Sequence, residues 1–471
     1  MHKRELLKLM GLVLLGGIVS RPSNLNNTAV AAAVAKKKIL VIGAGLAGLT
    51  AASELQKQGH DLLVVEARER SGGRIWTSTK WNDAPVDLGA SWIHGVDGNP
   101  LTTLAQQSHA EFRLTNYASA ITYSTTGQPL SAQAEARLAQ LQSKVDSALT
   151  QAQQAAQDLS VDAVIAAAFK ADNLSADDQR LLNFILNSTL EAEYAGSTRE
   201  LSAQWYDDAA AFSGDDGIFV NGYRLLVDYL SNGLAINLSE IVQAIDWSGA
   251  QVRVRTDKAE YLADQVIITL PLGVLKAGKV TFTPLLPQAK QNAIDQLGMG
   301  VLNKCYLRFA AAFWPTDVDW LEYVAAQRGE WTEWVSLMRT HGLPVLLGFN
   351  AADQGRAIEA WTDAQIVASA MQTLRTIYGN AIPDPLDYQI TRWASDPYAL
   401  GSYSFNGVGY TPALRTELAK PLGQTVFFAG EATEPQHFSS AHGAYLSGQR
   451  VAKEILDLTG QTLLYLPTVS R

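Results

Sequence analysis

The stretch I-L-V-I-G-A-G-L-A-G-L at residues 39–49, with L-L-V-V-E at residues 62–66, decides the fold. The apolar run at its start predicts a buried strand, and the glycines after it predict a tight turn into a helix. We expect that helix from Leu46 to Gln58, with Gly59 ending it. A second strand then ends at Glu66. This strand, turn, helix and strand predict a parallel sheet with a right-handed crossover.

The glycine turn has the spacing of a dinucleotide site. Gly43 makes the turn, Gly45 lets backbone approach a pyrophosphate, and Gly48 lets the helix pack closely on the strand. The helix N-terminus adds positive partial charge, and Glu66 lies where a carboxylate can accept ribose hydroxyls. The pattern therefore predicts a nucleotide, with a strand–helix–strand unit that binds none as the alternative.

The residues after Glu66 indicate which dinucleotide is bound. In A-R-E-R-S-G-G-R (67–74), Arg68, Gly73 and Arg74 fall beside the expected pyrophosphate, where glycine admits backbone and arginine pairs with phosphate. The segment V-V-E-A-R-E-R-S-G-G-R-I-W-T (64–77) resembles the FAD-binding signature of the flavin-containing amine oxidases. The resemblance continues in order through L-G-A-S-W-I-H-G (88–95), T-L-P-L-G-V-L (269–275), L-N-K-C-Y-L-R-F (302–309), W-A-S-D-P-Y-A-L-G-S-Y-S (393–404), F-A-G-E-A-T-E (428–434) and A-H-G-A-Y-L-S-G-Q-R (441–450).

This resemblance implies an α/β and α+β fold like that of the amine oxidases and p-hydroxybenzoate hydroxylase. A Rossmann-like FAD-binding domain (36–114, 217–292 and 424–460) would interleave with a substrate-binding domain of mixed sheet and helices (115–216 and 293–423). The residues themselves support interleaving, because a helix-rich stretch at about 131–169 stands between strand-rich segments. We expect these helices to roof a substrate chamber; a coiled-coil arm is the alternative.

Composition excludes several classes of protein. The chain has 471 residues and a net charge of -9, without a dense Lys/Arg stripe, which argues against a nucleic-acid partner. No apolar run of about 20 residues follows the N-terminal region, so we expect no stable membrane span once a signal is removed. Cys305 is the only cysteine, which rules out an intramolecular disulfide and a cysteine-based metal cluster. We predict no metal site, and the oligomeric state stays open.

The N-terminal residues 1–35 have the anatomy of an export signal. Lys3 and Arg4 precede the apolar run Leu9–Val19, and A-V-A at 33–35 suits cleavage. The string K-R-E-L-L-K-L resembles a twin-arginine signal with lysine at the first arginine. We expect export to the periplasm or an equivalent compartment, with an uncleaved anchor as the alternative.

The resemblance implies the cofactor site in more detail. Monoamine oxidases attach FAD through a cysteine in the C-terminal part, and this chain has none there, so we predict non-covalent FAD. Gly430 and Glu431 end a strand, and Gly443 and Ala444 lie in the first turn of a helix whose N-terminus would stabilise negative charge on reduced flavin. The remaining residues expected to contact the cofactor are Gly89, Ala90, Ser91, Trp92 and Val242.

Lys304 is the first candidate for catalysis. Local alternation groups Lys304, Tyr306 and Arg308 opposite an apolar set, which favours a solvent-facing row. The resemblance implies instead a buried lysine that holds a water near flavin N5. Its pKa would then lie near neutrality.

The resemblance also places other residues around the substrate. His94 and Glu193 match positions that face the substrate in polyamine oxidases, and Glu191 lies two residues before the latter; a structural histidine and a solvated helix face are the alternatives. Tyr403 matches one wall of an aromatic cage around the reacting amine. Ser440 stands where the second ring is expected, which leaves the cage open, and Trp393 is a further lining candidate with a core role as the alternative.

Taken together, these residues predict oxidation of a polyamine of the spermidine and spermine class. Hydride transfer to flavin N5 would give an imine, water would hydrolyse it to aldehyde plus amine, and O2 would be reduced to H2O2. An L-amino-acid oxidase or a monoamine oxidase is the enzymatic alternative, although no motif shows an arginine for a substrate carboxylate. A prenyl-GTPase escort protein, which shares the fold and binds no flavin, is the non-enzymatic alternative.

Overall fold

A computed structural model describes residues 36–461 of the chain. The predicted export signal at 1–35 lies outside the described residues and stays a prediction. Between residues 36 and 461, no helix has both the length and the apolar character needed to cross a membrane.

The described residues form strands and helices throughout. The strands are β1 (Lys38–Ile42), β2 (Asp61–Val65), β3 (Thr77–Ser78), β4 (Val86–Asp87), β5 (Trp92–Ile93), β6 (Phe112–Thr115), β7 (Ala120–Tyr123), β8 (Asp216–Phe219), β9 (Ile236–Asn237), β10 (Val242–Asp246), β11 (Val252–Thr256), β12 (Glu260–Ala263), β13 (Gln265–Ile268), β14 (Thr281–Thr283), β15 (Gly298–Met299), β16 (Leu302–Arg308), β17 (Trp320–Tyr323), β18 (Glu333–Ser336), β19 (Val345–Ala351), β20 (Asp387–Ile390), β21 (Ser404–Phe405) and β22 (Val426–Phe428). The helices are α1 (Leu46–Lys57), α2 (Pro100–Gln107), α3 (Ala132–Gln153), α4 (Val161–Phe169), α5 (Ala176–Leu186), α6 (Ala192–Tyr194), α7 (Arg224–Ser231), α8 (Leu272–Lys276), α9 (Gln288–Gln296), α10 (Met338–His341), α11 (Ala352–Ile358), α12 (Asp363–Tyr378), α13 (Ala413–Ala419) and α14 (Ala441–Thr459). A π-helical turn at Asn187–Glu191 joins α5 to α6, and a 3-10 turn spans Glu431–Thr433.

The predicted strand–helix–strand unit is confirmed. β1 and β2 pair in parallel, with Ile39 opposite Leu62. The turn between β1 and α1 begins at Gly43, whose φ of 106° lies in the region that favours glycine. The helix ends at Lys57, one residue before the predicted end.

A five-stranded sheet in the order β22-β13-β1-β2-β9 carries this unit. Every neighbouring pair in it is parallel. Successive side chains of β1 point to opposite faces. Ile39 and Val41 pack with α1, α7 and α14, whereas Leu40 and Ile42 pack with the four-stranded sheet β12-β11-β10-β14. Both faces are covered, as in the predicted Rossmann-like domain.

A six-stranded sheet in the order β20-β16-β19-β18-β17-β7 forms the second layer that matters for function. Cys305 and Leu307 of β16 pack with α12 on one face. Tyr306 points to the other face and packs with Trp320 and Phe349. This second face turns toward the large cavity described below.

The helices predicted at about 131–169 are present as α3 and α4, with a break at residues 154–160. They pack with α5 in one apolar cluster. Leu138, Val145 and Leu149 of α3 also line the cavity. The predicted helices are therefore present and α3 covers part of the cavity, while a substrate role for the cavity and the proposed domain boundaries stay predictions.

Candidate active site

One cavity of about 2290 Å³ extends from the glycine turn to the helical roof. Most residues predicted for the cofactor line it: Gly43, Gly45, Glu66, Arg68, Gly73, Arg74, Gly89, Ala90, Ser91, Trp92, Val242, Gly430, Glu431 and Ala444. Six residues predicted for the substrate line the same cavity: Lys304, His94, Glu193, Tyr403, Trp393 and Ser440. The structure therefore brings the two predicted sites together.

The three glycines of the turn have different roles. A Cβ on Gly43 would meet Thr269 Oγ1 at 2.3 Å, and one on Gly48 would meet the Gly43 carbonyl oxygen at 2.1 Å. A Cβ on Gly45 would meet no protein atom within 4 Å. Gly48 therefore has the predicted packing role within the dinucleotide motif, and it does not itself line the cavity. Gly45 keeps the cavity open beside the backbone, as a pyrophosphate requires.

Glu66 is held rigidly at the end of β2. Its carboxylate is buried and accepts hydrogen bonds from the backbone N–H of Ala44 at 2.8 Å and of Arg68 at 2.9 Å. A carboxylate fixed at this strand end can accept ribose hydroxyls. The open glycine turn and this carboxylate together fit a dinucleotide.

The arginines beside the turn are bound by carboxylates. Arg68 makes two hydrogen bonds to Asp396, at 2.8 and 2.6 Å. Arg74 donates to Glu431 at 2.8 Å and to the Ser402 carbonyl at 2.9 Å. Burial opposes ionisation of Glu431, but the positive charges of Arg74 and Arg415 and the hydrogen bond from Ser404 together outweigh it and lower the pKa of this carboxyl. Glu431 is thus an anion that orients Arg74 at the cavity wall.

Ser440, which stands where a ring was expected, caps the N-terminus of α14. Ser440 is the N-cap residue: its Oγ accepts from Gly443 N at 3.0 Å and donates to the His437 carbonyl at 2.7 Å. A Cβ on Gly443 would lie 1.8 Å from that carbonyl oxygen. The N–H of Gly443 is therefore used by the cap and this residue does not line the cavity, which corrects its cofactor assignment. Serine is among the residues preferred at an N-cap, because its side-chain oxygen accepts from a free backbone N–H of the first turn.

Lys304 is buried rather than solvent-facing. Its Nζ donates to the carbonyls of Asp87 at 2.8 Å and Gly89 at 2.6 Å, and to Ser91 Oγ at 2.5 Å. The local interpretation as a solvent-facing row is wrong for Lys304 and Tyr306, both of which are buried, whereas Arg308 pairs with Asp83. The three acceptors match the three N–H bonds of an ammonium group.

Asp87 is a residue of this site that sequence reasoning missed. Its buried carboxylate accepts from the Thr77 hydroxyl and from Tyr223 N. Burial raises the pKa of Asp87 and lowers the pKa of Lys304, and the attraction between the two opposes both shifts. The only available signal was its position one residue before L-G-A-S-W-I-H-G.

His94 and Tyr403 are oriented by specific partners. His94 Nδ1 lies 2.8 Å from Asp216 Oδ2, and the imidazole is partly exposed to the cavity. The Tyr403 hydroxyl donates to the carbonyls of Ala192 at 3.1 Å and Glu193 at 3.2 Å. Burial raises the pKa of Tyr403, so this wall of the chamber is a neutral phenol.

The two glutamates at the end of the α5 helix point in different directions. Glu193 lines the cavity, whereas Glu191 does not. Glu191 is buried, and its carboxylate accepts from Arg328 at 2.8 and 3.3 Å. Residues two apart on a helix do not share a face. Glu191 is therefore corrected from a substrate-lining residue to an ion-pair residue.

Aromatic rings line the chamber near Lys304. Trp393 contacts Trp76 edge to face, with 6.3 Å between ring centroids, and donates Nε1–H to the Leu88 carbonyl at 3.3 Å. A second group was missed by sequence reasoning: Tyr117 stacks on Trp320 at 4.8 Å, and Trp320 stacks on Trp92 at 6.1 Å. All of these rings line the cavity except Trp76.

Two further acids of the chamber were also missed. Glu322 and Glu333 are opposite each other on the antiparallel strands β17 and β18, and both line the cavity. The alternation in W-L-E-Y (320–323) could have placed Trp320 and Glu322 on one face. The local sequence does not show whether that face of the strand points toward the chamber. No cluster of ligands suited to a metal ion occurs among residues 36–461.

Comparison with known proteins identifies the family of the chain. Residues 46–456 match the family model for flavin-containing amine oxidoreductases. Polyamine oxidase 2 of Arabidopsis thaliana is 31% identical, with 92% of this chain and 91% of the relative aligned. Lysine-specific histone demethylase 1 homolog 2 of Arabidopsis thaliana is 34% identical over 89% of this chain. The chain spans only 58% of that relative's length.

A solved structure agrees on the fold. Putrescine oxidase bound to putrescine superposes with a TM-score of 0.73 at 18% identity, covering 90% of this chain and 99% of that structure. This likeness confirms the predicted fold class, and the family match confirms the resemblance seen in the sequence motifs. The chain belongs to the family of flavin-containing amine oxidoreductases.

Proposed function

We propose that this protein is an FAD-dependent oxidase of polyamines of the spermidine and spermine class. The observation that carries the proposal is the placement of Glu193 in the same cavity as Lys304 and Tyr403. A carboxylate in such a chamber binds an ammonium group of the substrate at a distance from the reacting carbon. The two polyamine oxidases among the relatives, from Arabidopsis and rice, align over most of both chains.

The cofactor would lie between the glycine turn and the start of α14. When bound, FAD accepts a hydride from the carbon next to the amine nitrogen and passes the electrons to O2, giving H2O2. Gly45 leaves room for the pyrophosphate, Glu66 accepts ribose hydroxyls, and Arg74 supplies positive charge.

We infer that FAD is bound without a covalent bond. The single cysteine of the chain, Cys305, is buried on the α12 side of β16, opposite the cavity face. Flavin should therefore leave the polypeptide when the protein is denatured with acid or heat. Flavin that stays on the washed, denatured chain would contradict this inference.

The chain's own residues would bind and orient the amine. Tyr403 and Trp393 present aromatic surface to the reacting end, and Glu193 binds a distal ammonium. Lys304 holds protons at Nζ in a buried position, where a water molecule that hydrolyses the imine to aldehyde and amine can exchange a proton with it. His94, oriented by Asp216, is the second group suited to proton exchange.

The arginines of the cavity do not favour an amino acid as the substrate. An L-amino-acid oxidase needs an arginine for the substrate carboxylate. Among the described residues, the arginines that line the cavity are Arg68 and Arg74. Each is bound to a carboxylate beside the glycine turn. This arrangement favours cationic substrates over amino acids.

A peroxide assay tests the proposal. Purified protein is incubated with spermidine, spermine, putrescine, monoamines, amino acids and a methyl-lysine peptide, and the aldehyde and amine products are identified. We expect H2O2 release with spermidine or spermine, and release slower by orders of magnitude in Lys304→Met with flavin still bound. Activity confined to amino acids or to the peptide would overturn the substrate assignment.

A further inference from the structure

The helical segment that carries Glu193 is interrupted by a π-helical turn. Helix α5 passes into the π-helical turn Asn187–Glu191 before the short helix α6. One extra residue in a turn rotates everything after it by about 100° relative to an uninterrupted α-helix. The rotation therefore sets the direction of the side chains that follow the turn, including the acid Glu193. In the structure Glu193 enters it and Glu191 does not.

A buried ion pair between Glu191 and Arg328 stabilises this turn. The Glu191 carboxylate accepts from Arg328 Nη2 at 2.8 Å, from Asn187 Nδ2 at 3.0 Å and from Thr198 N at 3.3 Å. Arg328 Nη2 also donates to Thr198 Oγ1 at 2.8 Å. Glu191 is 6% exposed, so loss of its cationic partner would leave a charge in a buried place.

Arg328 belongs to a part of the chain distant from the π-helical turn. It lies in the loop that joins β17 to β18, and β18 begins at Glu333, a buried acid that lines the cavity. The same ion pair thus connects the loop before Glu333 with the turn before Glu193. Glu193 lies in α6 and Glu333 in β18, and the Arg328–Glu191 ion pair joins the two segments that immediately precede these elements.

We propose that Glu191 and Arg328 are a positioning pair that sets the placement of Glu193 relative to Glu333, and so selects substrates by the spacing of their ammonium groups. This inference rests on the proposed polyamine oxidation. A substrate with charges at two places along its chain can use both acids. A substrate with one charge fewer depends less on their spacing.

The Tyr403 hydroxyl connects the segment held by the Glu191–Arg328 pair with the part of the chamber where the amine would react. It donates to the carbonyls of Ala192 and Glu193, immediately after the π-helical turn. The segment is also bound at Ala195, whose carbonyl accepts from Val301 N at 2.9 Å. Because the contacts at Tyr403 and Ala195 remain, loss of the Arg328–Glu191 ion pair should make the position of Glu193 less fixed. The segment itself should stay at the chamber.

The test compares Arg328→Gln and Glu191→Gln with the unchanged protein, using spermidine and an N-acetylated spermidine that lacks one terminal charge. We expect KM for spermidine to rise roughly tenfold, the equivalent of one lost charge-assisted contact. We expect kcat to change little, and KM for the acetylated substrate to change little. Arg328→Lys, which keeps the charge, should restore part of the spermidine KM.

Arg137→Gln is the matched control, since Arg137 pairs with Asp178 at 2.6 Å in the same helical region without touching the π-helical turn. Flavin content and melting temperature establish that each variant is folded; if Arg328→Gln does not fold, Glu191→Gln and Arg328→Lys carry the test. Equal KM changes for both substrates, or none, would overturn the positioning role while leaving the polyamine activity of the unchanged protein standing. If the unchanged protein oxidises no polyamine, the proposed function fails, and this inference with it.

Discussion

Replacing Asp87 by Asn should move the pH at which Lys304 titrates. The substitution keeps the shape of the side chain and an oxygen for Tyr223 N, but it removes the negative charge that opposes the effect of burial on Lys304. Without that charge, the ammonium form of Lys304 is less stable. The pKa of Lys304 must therefore fall.

The size of the shift follows from the geometry. Lys304 Nζ bonds to the carbonyl oxygen of Asp87 at 2.8 Å and forms no direct ion pair with its carboxylate, so we take a separation of about 6 Å for the two charges. Two unit charges about 6 Å apart, at an effective dielectric constant of about 20, attract by about 2.8 kcal/mol. That energy corresponds to a decrease of about two pKa units.

The assay is the pH dependence of kcat/KM for the best amine. The limb that belongs to Lys304 is identified as the one that Lys304→Met abolishes, and its midpoint should move to lower pH in Asp87→Asn. The direction is the same whether the active form of Lys304 is charged or neutral. Asp83→Asn is the control, because Asp83 is exposed and pairs with Arg308 on the same strand as Lys304. A midpoint that stays in place, or moves to higher pH, would refute this account of the pair.

Three further substitutions probe the cavity and its support. Gly45→Val should give a folded protein with a nearly unchanged melting temperature and little bound flavin, because a Cβ there meets no protein atom within 4 Å; normal flavin absorbance would contradict the proposed pyrophosphate position. Glu193→Gln should lower kcat/KM for spermidine roughly 10- to 100-fold, because a hydrogen bond to a charged group contributes about 1.5 to 3 kcal/mol. An equal loss with N-acetylated spermidine would argue against a contact with a distal ammonium group. Arg415→Met should destabilise the protein by about 3 to 5 kcal/mol in thermal or denaturant unfolding, because fully buried Arg415 bonds to Ser404 and Asn406; unchanged stability would show that these contacts contribute little.

The nucleotide half of the molecule could be predicted from short segments of sequence. The strand at residues 39–42, the glycine turn and Glu66 act within one strand–helix–strand unit, so local periodicity and spacing were sufficient. Gly48 was placed in the correct packing role, although it does not contact the cavity. Gly443 was misassigned because the N-cap bond to Ser440 depends on the path of the chain before α14.

The substrate half depended on contacts between distant segments. Alternation along β16 grouped Lys304 with Tyr306 but could not say which face of the sheet meets solvent. Glu191 was misassigned because its partner, Arg328, lies 137 positions away along the chain. Asp87, Trp320 and Glu333 were missed for the same reason, since each lines or supports the chamber only after three separate segments meet.

The most direct test of the central claim is anaerobic addition of spermidine to the purified protein while the flavin absorbance is recorded. A flavin-dependent polyamine oxidase should show bound flavin that bleaches on addition of the amine and recovers with H2O2 release when O2 is admitted. Protein that contains flavin but keeps its full absorbance with spermidine and spermine, and bleaches only with another class of substrate, would contradict the account.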